Sequence, residues 1–157
     1  MSRVLVTFGS NHGATAEIAD VLAETLCACG LDVDCVEAGD VESLDGYDAV
    51  VLGSAVYMRR WRREARRFIH QFGPELAQRP FWVFSSGPVG DLSEVNPAWL
   101  EPPKTIAAAE RLGAREHVVF GGRSESKSLP EALRDQRDWG EIRTWARRIA
   151  AALPVTA

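Results

Sequence analysis

Hydrophobic and polar positions follow two rhythms along this chain, and the two alternate. Val4 to Phe8 is a nearly continuous apolar run, the pattern of a strand buried on both faces. It empties into the turn Gly9 to Thr15. From Ala14 to Cys29, Ile18, Val21, Leu22, Thr25 and Leu26 then recur at helical spacing, and Gly30 closes that helix. Val33 to Val36 alternates as a strand nearer an edge does. Asp40 to Gly46 is a connection with at most a brief helix. Ala49 to Gly53, preceded by Tyr47 and Asp48, is the most apolar strand and therefore central. Trp61 to Phe72 predicts a helix with Trp61, Ala65, Phe68, Ile69 and Phe72 on its inner face. Phe81 to Ser85 is the next strand, followed by a Gly/Pro/Asn-rich loop to about Pro103. Lys104 to Leu112 is a helix closed by Gly113. His117 to Phe120 is a strand ending at Gly121 and Gly122, and Asp138 to Leu153 is the last helix, with Trp139, Ile142, Trp145, Ile149 and Leu153 inward.

Five strands alternating with helices predict a parallel sheet covered on both faces, wound by right-handed crossovers. No repeat, low-complexity tract or long linker interrupts residues 1–157, so a single domain is expected. At this size a domain buries roughly 70% of its unfolded surface. The 46% hydrophobic content needs no disulfide or metal staple to supplement it. A net charge of −4 argues against nucleic acid as the main partner. With no run approaching a membrane span and no signal-peptide layout, the cytoplasm is the expected location. Cys27, Cys29 and Cys35 are expected to be buried small hydrophobes, and with His12, His70 and His117 scattered no metal site is expected.

The candidate chemistry lies in three turns. In an open parallel sheet, ligands gather beyond the carboxyl ends of the strands, where the strand order reverses. The loops expected there are Gly9–Thr15, Gly53–Met58 and Ser85–Asp91. The first joins a strand to a helix N-terminus, where outward N–H groups and the helix dipole favour an anion. It lacks the Gly-Lys-Ser/Thr of a nucleotide P-loop and the G-x-G-x-x-G of a dinucleotide fold. A monophosphate held by hydroxyls and amides suits it better.

SNHGAT at 10–15, YDAVVLGSAVY at 47–57, FSSGPVGD at 84–91 and the Asp138–Trp139 pair together resemble flavodoxin-like FMN-binding domains over essentially the whole chain. More narrowly, they are similar to the branch containing menaquinone-dependent protoporphyrinogen dehydrogenase. The resemblance implies a flavodoxin-like, doubly wound α/β fold with a five-stranded parallel sheet in the order 2-1-3-4-5 and helices on both faces. It places FMN at the crevice between the first and third strands, as in flavodoxins themselves. Ser10, Gly13 and Thr15 match the family's phosphate loop. Ser10 and Thr15 would donate hydroxyl hydrogens, while Asn11, His12, Gly13 and Ala14 offer backbone N–H groups. At His12, where flavodoxins often have threonine, a protonated imidazole would help neutralise the phosphate; a neutral surface histidine is the other reading.

Ser54, Ala55, Val56 and Tyr57 would hold one side of the flavin ring, with Tyr57 able to stack. The third loop offers Ser86, Gly87, Val89, Gly90 and Asp91 to the pyrimidine edge. It has no aromatic, which leaves one flavin face open and fits an enzyme that admits a substrate. No catalytic residue stands out. Against the porphyrinogen reading, Gly121 to Asp138 is short and polar, where that branch carries an inserted segment.

Residues 59–67, RRWRREARR, hold six arginines and one glutamate. This gives the stretch +5 in a chain of net charge −4, which leaves −9 for the remainder. Arg59, Arg62, Arg63, Arg66 and Arg67 are expected on one helical side. Three readings stay open for them. They form a solvated face, a docking surface for an acidic partner or for the inner face of an anionic membrane, or a substrate clamp through Arg59 or Arg60. The function expected is an FMN-binding oxidoreductase of the protoporphyrinogen-dehydrogenase type with a quinone acceptor. The alternatives are an electron-carrier flavodoxin with a protein redox partner and a flavin-free binding module.

Overall fold

The apolar runs become parallel strands in a computed structural model that describes residues 2–9, 13–57, 60–87, 103–122, 131, 135 and 137–153. In chain order the elements are β1 (Arg3–Gly9), α1 (Ala14–Ala28), β2 (Asp32–Glu37), a 3-10 turn (Ala38–Asp40), β3 (Ala49–Tyr57), β4 (Arg60–Trp61), α2 (Arg63–Gln71), α3 (Gly73–Leu76), β5 (Phe81–Ser86), α4 (Pro103–Arg111), β6 (His117–Phe120) and α5 (Trp139–Ala152). The strands lie in the order β2-β1-β3-β5-β6, all parallel. Counted along the parallel strands alone, this is the expected 2-1-3-4-5 winding. The sheet nevertheless has six strands rather than five, because β4 pairs antiparallel with the end of β3, Val56 opposite Trp61 and Tyr57 opposite Arg60.

Alternation along each strand sorts side chains to two cores. Val4, Val6 and Phe8 of β1 join Val51, Trp82 and Phe84 beneath α1 and α5, against Ile18, Leu22, Leu26, Ile142, Trp145 and Ile149. Leu5, Val50, Leu52, Phe81 and Val83 face the other way, onto Ala65, Phe68 and Ile69 of α2, Leu76 of α3 and Ile106 and Ala109 of α4. Gly30 and Gly113 end α1 and α4 with φ of 93° and 99°, a region that only glycine enters without strain. On α5, Asp138 accepts a hydrogen bond from the Glu141 N–H at 3.0 Å and so caps the helix the periodicity predicted.

Three expectations need correction. β3 does not stop at Gly53 but continues to Tyr57. Gly9 pairs with Ser54, and Ser54 and Ala55 pair with Ser85 and Ser86, so residues that read locally as a turn find ladder partners on both sides. Trp61 is not part of α2: it lies in β4, fully buried, and the helix starts at Arg63. Finally, Cys27 and Cys29 are exposed, because α1 turns its last inward residue, Leu26, before reaching them. Cys35 is half-buried on β2, and burial, then the charge of Asp20, pushes its thiol up to about 12. All three cysteines are free thiols. Among the described residues no helix is long and apolar enough to cross a membrane. No group of three or more His, Cys, Asp or Glu side chains among them could hold a metal ion.

Candidate functional site

The carboxyl ends of β1, β3 and β5 lie side by side, and the order reverses between β1 and β3. β1 ends at Gly9, whose missing side chain is required. A β-carbon there would lie 2.9 Å from Cβ of Arg62 and 3.2 Å from Cβ of Ala65, so α2 is seated directly on the end of β1. Of the turn that follows, Gly13, Ala14 and Thr15 lie within the described residues; Ser10, Asn11 and His12 lie outside them. Gly13 is left-handed at φ 82° and forms the N-cap of α1. As a glycine, this N-cap contributes no side-chain cap of its own. Thr15 is buried at 1% exposure.

A second anchor fastens this turn from the far end of the chain. Arg137, its side chain only 4% exposed, grips Asp135 in a fork: Nε to Oδ1 at 2.8 Å and Nη2 to Oδ2 at 2.7 Å. Its Nη1 lies 3.3 Å from Glu17 of α1 and donates to the Ala14 carbonyl at 3.4 Å, while the guanidinium sits 4.7 Å over the Trp139 ring. The hydrogen bond to Asp135 is the largest of the effects that raise its pKa. The stretch before α5 is thereby held against the first turn of α1. The sequence signal was the Asp138–Trp139 pair, which marked the place but not the arginine before it.

At β3, Ser54 is fully buried. Its Oγ accepts from the Arg62 N–H at 2.8 Å and donates to the Ala55 carbonyl at 2.9 Å. The Ser54 hydroxyl therefore locks β3 to the start of α2, and what remains of this residue for a ligand is backbone. Ala55 and Val56 are half-buried at the strand end, and Tyr57 pairs with Arg60. Met58 and Arg59 lie outside the described residues. Ser86 is buried at the end of β5, and Gly87 follows with φ 104°, its N–H donating to Phe120 at 3.0 Å. Gly122 packs so closely on Gly87 that an added β-carbon would lie 2.7 Å from the Gly87 α-carbon. The two glycines let the ends of β5 and β6 meet backbone to backbone. Val89, Gly90 and Asp91 lie outside the described residues.

Beneath the edge runs a polar relay that the helical reading of Trp61 concealed. Trp61 Nε1 donates to Ser85 Oγ at 2.8 Å, and Ser85 Oγ is also 2.8 Å from His117 Nε2. Ser85 and Trp61 are fully buried, so their polar atoms must find each other. The relay fixes the β4 hairpin to β5 and β6. Of the arginines expected on one helical side, Arg63, Arg66 and Arg67 lie exposed on α2. Arg62 is instead the half-buried N-cap, and Arg59 lies outside the described residues.

Comparison with known proteins agrees with this geometry. Residues 5–135 match the family model described as a flavodoxin domain. A stretch of 56 residues is 39% identical to the probable flavodoxin 1 of Bacillus subtilis (strain 168); it covers 34% of this chain and 35% of that protein, so the match spans about a third of the relative's length. Among solved structures, oxidised flavodoxin 2 from Bacillus cereus superposes with a TM-score of 0.71 at 23% identity, covering 97% of this chain and 100% of that one. The flavodoxin of Streptococcus pneumonia TIGR4 gives 0.68 at 22% identity, covering 97% and 100%. The rubredoxin oxygen:oxidoreductase of Desulfovibrio gigas gives 0.69 at 19%, covering 97% of this chain but 36% of that one. At these identities the structural likeness speaks for the fold. The family model speaks for the lineage, and the chain belongs to the flavodoxin domain family.

Proposed function

We propose that this chain binds FMN at the carboxyl edge of β1, β3 and β5 and exchanges electrons with a protein redox partner. The observation that carries the reading is the start of α1. Left-handed Gly13 opens the helix at the point where the strand order reverses, with the buried Thr15 in its first turn. The donor set fits a phosphate that stays bound. Ser10 and Thr15 would donate hydroxyl hydrogens, and Asn11, His12, Gly13 and Ala14 their N–H groups. Ala55, Val56 and Tyr57, with the Ser54 backbone, would flank the ring on one side. Ser86, Gly87, Val89, Gly90 and Asp91 would meet it on the other. A bound flavin supplies the one- and two-electron chemistry; the protein's part is to orient it and set its surroundings. The Ser54–Arg62 bond and the Trp61–Ser85–His117 relay keep the edge rigid.

The test is a titration of FMN, and separately of riboflavin, with flavin fluorescence as the readout. Hydrogen bonds to a charged group contribute about 1.5–3 kcal/mol each. The Ser10→Ala/Thr15→Ala variant should therefore bind FMN at least about tenfold more weakly, with an unchanged circular dichroism melt. Riboflavin, which lacks the phosphate, should bind far less tightly than FMN. Equal affinity for the two flavins, or no quenching at all, would overturn the reading and leave a flavin-free binding module.

A narrower reading is an enzyme of the protoporphyrinogen-dehydrogenase type with a quinone acceptor, at the inner face of the membrane. It draws on the exposed Arg63, Arg66 and Arg67, whose charge complements propionates. Stopped-flow turnover of the FMN-loaded chain with protoporphyrinogen and menaquinone would establish it; oxidation only by protein acceptors would refute it.

A further inference from the structure

Elsewhere three arginines meet carboxylates, whereas Arg111, Arg143 and Arg147 are exposed on α4 and α5 with no ion pair among the described residues. Arg3 meets Asp34 at 2.8 Å, Arg148 meets Glu116 at 2.6 Å, and Arg137 meets Asp135 and Glu17. The α2 region is set apart by density, with four exposed arginines within residues 60–67. Arg60, Arg63, Arg66 and Arg67 are all exposed, and among the described residues none of them forms an ion pair with a carboxylate. Arg66 Nε donates to the Trp61 carbonyl at 3.2 Å, which aligns the side chain along the helix without neutralising it. Arg63, Arg66 and Arg67 share one helical face, opposite the buried Ala65, Phe68 and Ile69. Like charges at that spacing disfavour a helix, so the free chain carries a repulsion that an acidic surface would relieve. The patch also lies beside the candidate site, because the start of α2 is bonded to Ser54 and packed on Gly9.

We propose that the solvent face of α2, extended by Arg60, is the docking surface for an acidic protein that exchanges electrons at the adjacent strand edge. The electron-exchange part rests on the FMN reading above; the docking part does not. A protein is favoured over a bilayer for two reasons. The exposed residues of α2 are Arg63, Glu64, Arg66, Arg67, His70 and Gln71, so the helix offers a membrane nothing apolar to insert. An anionic leaflet is also an extended plane that confronts the −9 of the remaining chain, whereas a protein patch matches the arginines over their own footprint. Arg63, Arg66 and Arg67 lie on the exposed side of α2, opposite its buried Ala65, Phe68 and Ile69, which suits a macromolecular face better than a clamp on a small substrate.

The probe is fluorescein-labelled poly-L-glutamate of about 20 residues, its binding to the full chain followed by anisotropy at about 20 mM and about 200 mM NaCl. The patch variant is R60E/R63E/R67E, with Arg66 retained for its bond to Trp61. The charge-matched control is R111E/R143E/R147E, three exposed arginines on α4 and α5. Binding of the unaltered chain should weaken about tenfold or more at the higher salt. The patch variant should lose about tenfold or more at low salt, while the control stays within about twofold. Equal binding by the patch variant, or an equal loss in the control, overturns the proposal. So does retention on phosphatidylcholine/phosphatidylserine vesicles through the same arginines with poly-glutamate ignored. FMN titration of the patch variant separates the two claims. Intact FMN affinity with lost poly-glutamate binding supports docking at α2. Arginine-dependent docking by a chain that takes no FMN overturns the redox role of the partner alone.

Discussion

Substituting Gly53 by alanine tests whether the central strand is shaped by a single aromatic ring. Gly53 pairs with Phe8 of β1 and Phe84 of β5. A β-carbon on it would lie 2.0 Å from Cζ and 2.1 Å from Cε1 of Phe84, where carbon atoms need about 3.5 Å. The ring therefore has to move by roughly 1.5 Å. It has no free direction, because Phe84 is fully buried and meets Phe120 at 5.8 Å and Trp145 at 6.0 Å between centroids, and those two rings are 5.5 Å from each other. Overpacking costs about 1–3 kcal/mol, and displacing an interlocked trio of rings belongs at the upper end. Gly53 has ordinary strand geometry, so alanine brings no conformational penalty, and the loss is steric. About 3 kcal/mol in a domain of this size lowers Tm by about 6–12 °C.

Urea unfolding followed by far-UV circular dichroism on the parent, Gly53→Ala, Phe84→Leu and the double variant gives a closed cycle. Phe84→Leu alone should cost about 1–2 kcal/mol from lost packing. It also removes the outer ring atoms that the new methyl meets, so the double variant should be close to Phe84→Leu alone. The coupling energy should then be about 3 kcal/mol, the full cost of Gly53→Ala. A Gly53→Ala loss below about 0.5 kcal/mol, or simple additivity with Phe84→Leu, would refute the reasoning.

Arg137→Met should lower stability by about 1–2 kcal/mol, less than a fully buried ion pair would, because Asp135 and Glu17 are about half exposed. Faster hydrogen exchange should concentrate at the first turn of α1, and an unaltered exchange pattern there would argue against the anchoring role. The hydrogen bond from Tyr47 to Asp34 at 2.7 Å, followed by Arg3, holds the Asp34 carboxyl below the usual carboxylate range. A carboxylate whose folded pKa is depressed stabilises the fold fully above its unfolded value, and that contribution disappears as pH falls through the folded one. Tyr47→Phe should therefore flatten the acid limb of the stability–pH curve below about pH 4. Identical acid limbs for the two proteins would remove Asp34 from the account.

Sequence periodicity carried much of this fold because it records which side of each segment meets a core. Ile18, Leu22 and Leu26 on α1, Ile142, Trp145 and Ile149 on α5, and the apolar run of β1 are all buried as their spacing requires. Gly13, Gly30 and Gly113 stood where the backbone turns left-handed, which is a local property of one residue. The parallel winding followed from the alternation of strands and helices together with the handedness of crossovers.

Other features depended on partners distant in sequence. Ser54 and Ala55 are small and read as a turn in isolation; Ser85 and Ser86 supply the ladder that makes them strand. Trp61 fitted a helical stripe equally well; in the folded sheet it pairs with Val56 in a hairpin and its indole N–H meets the buried Ser85 hydroxyl. Arg137 lies far along the chain from the Ala14 carbonyl it bonds, a juxtaposition no local pattern encodes. The sequence by itself determined which faces of α1 and α5 are buried and where the chain turns left-handed at Gly13, Gly30 and Gly113, because those follow from local periodicity and backbone freedom. Tertiary structure decided where the central strand ends, how the candidate site is braced and which arginines are left without a counter-charge, because each depends on atoms brought together only when the sheet closes.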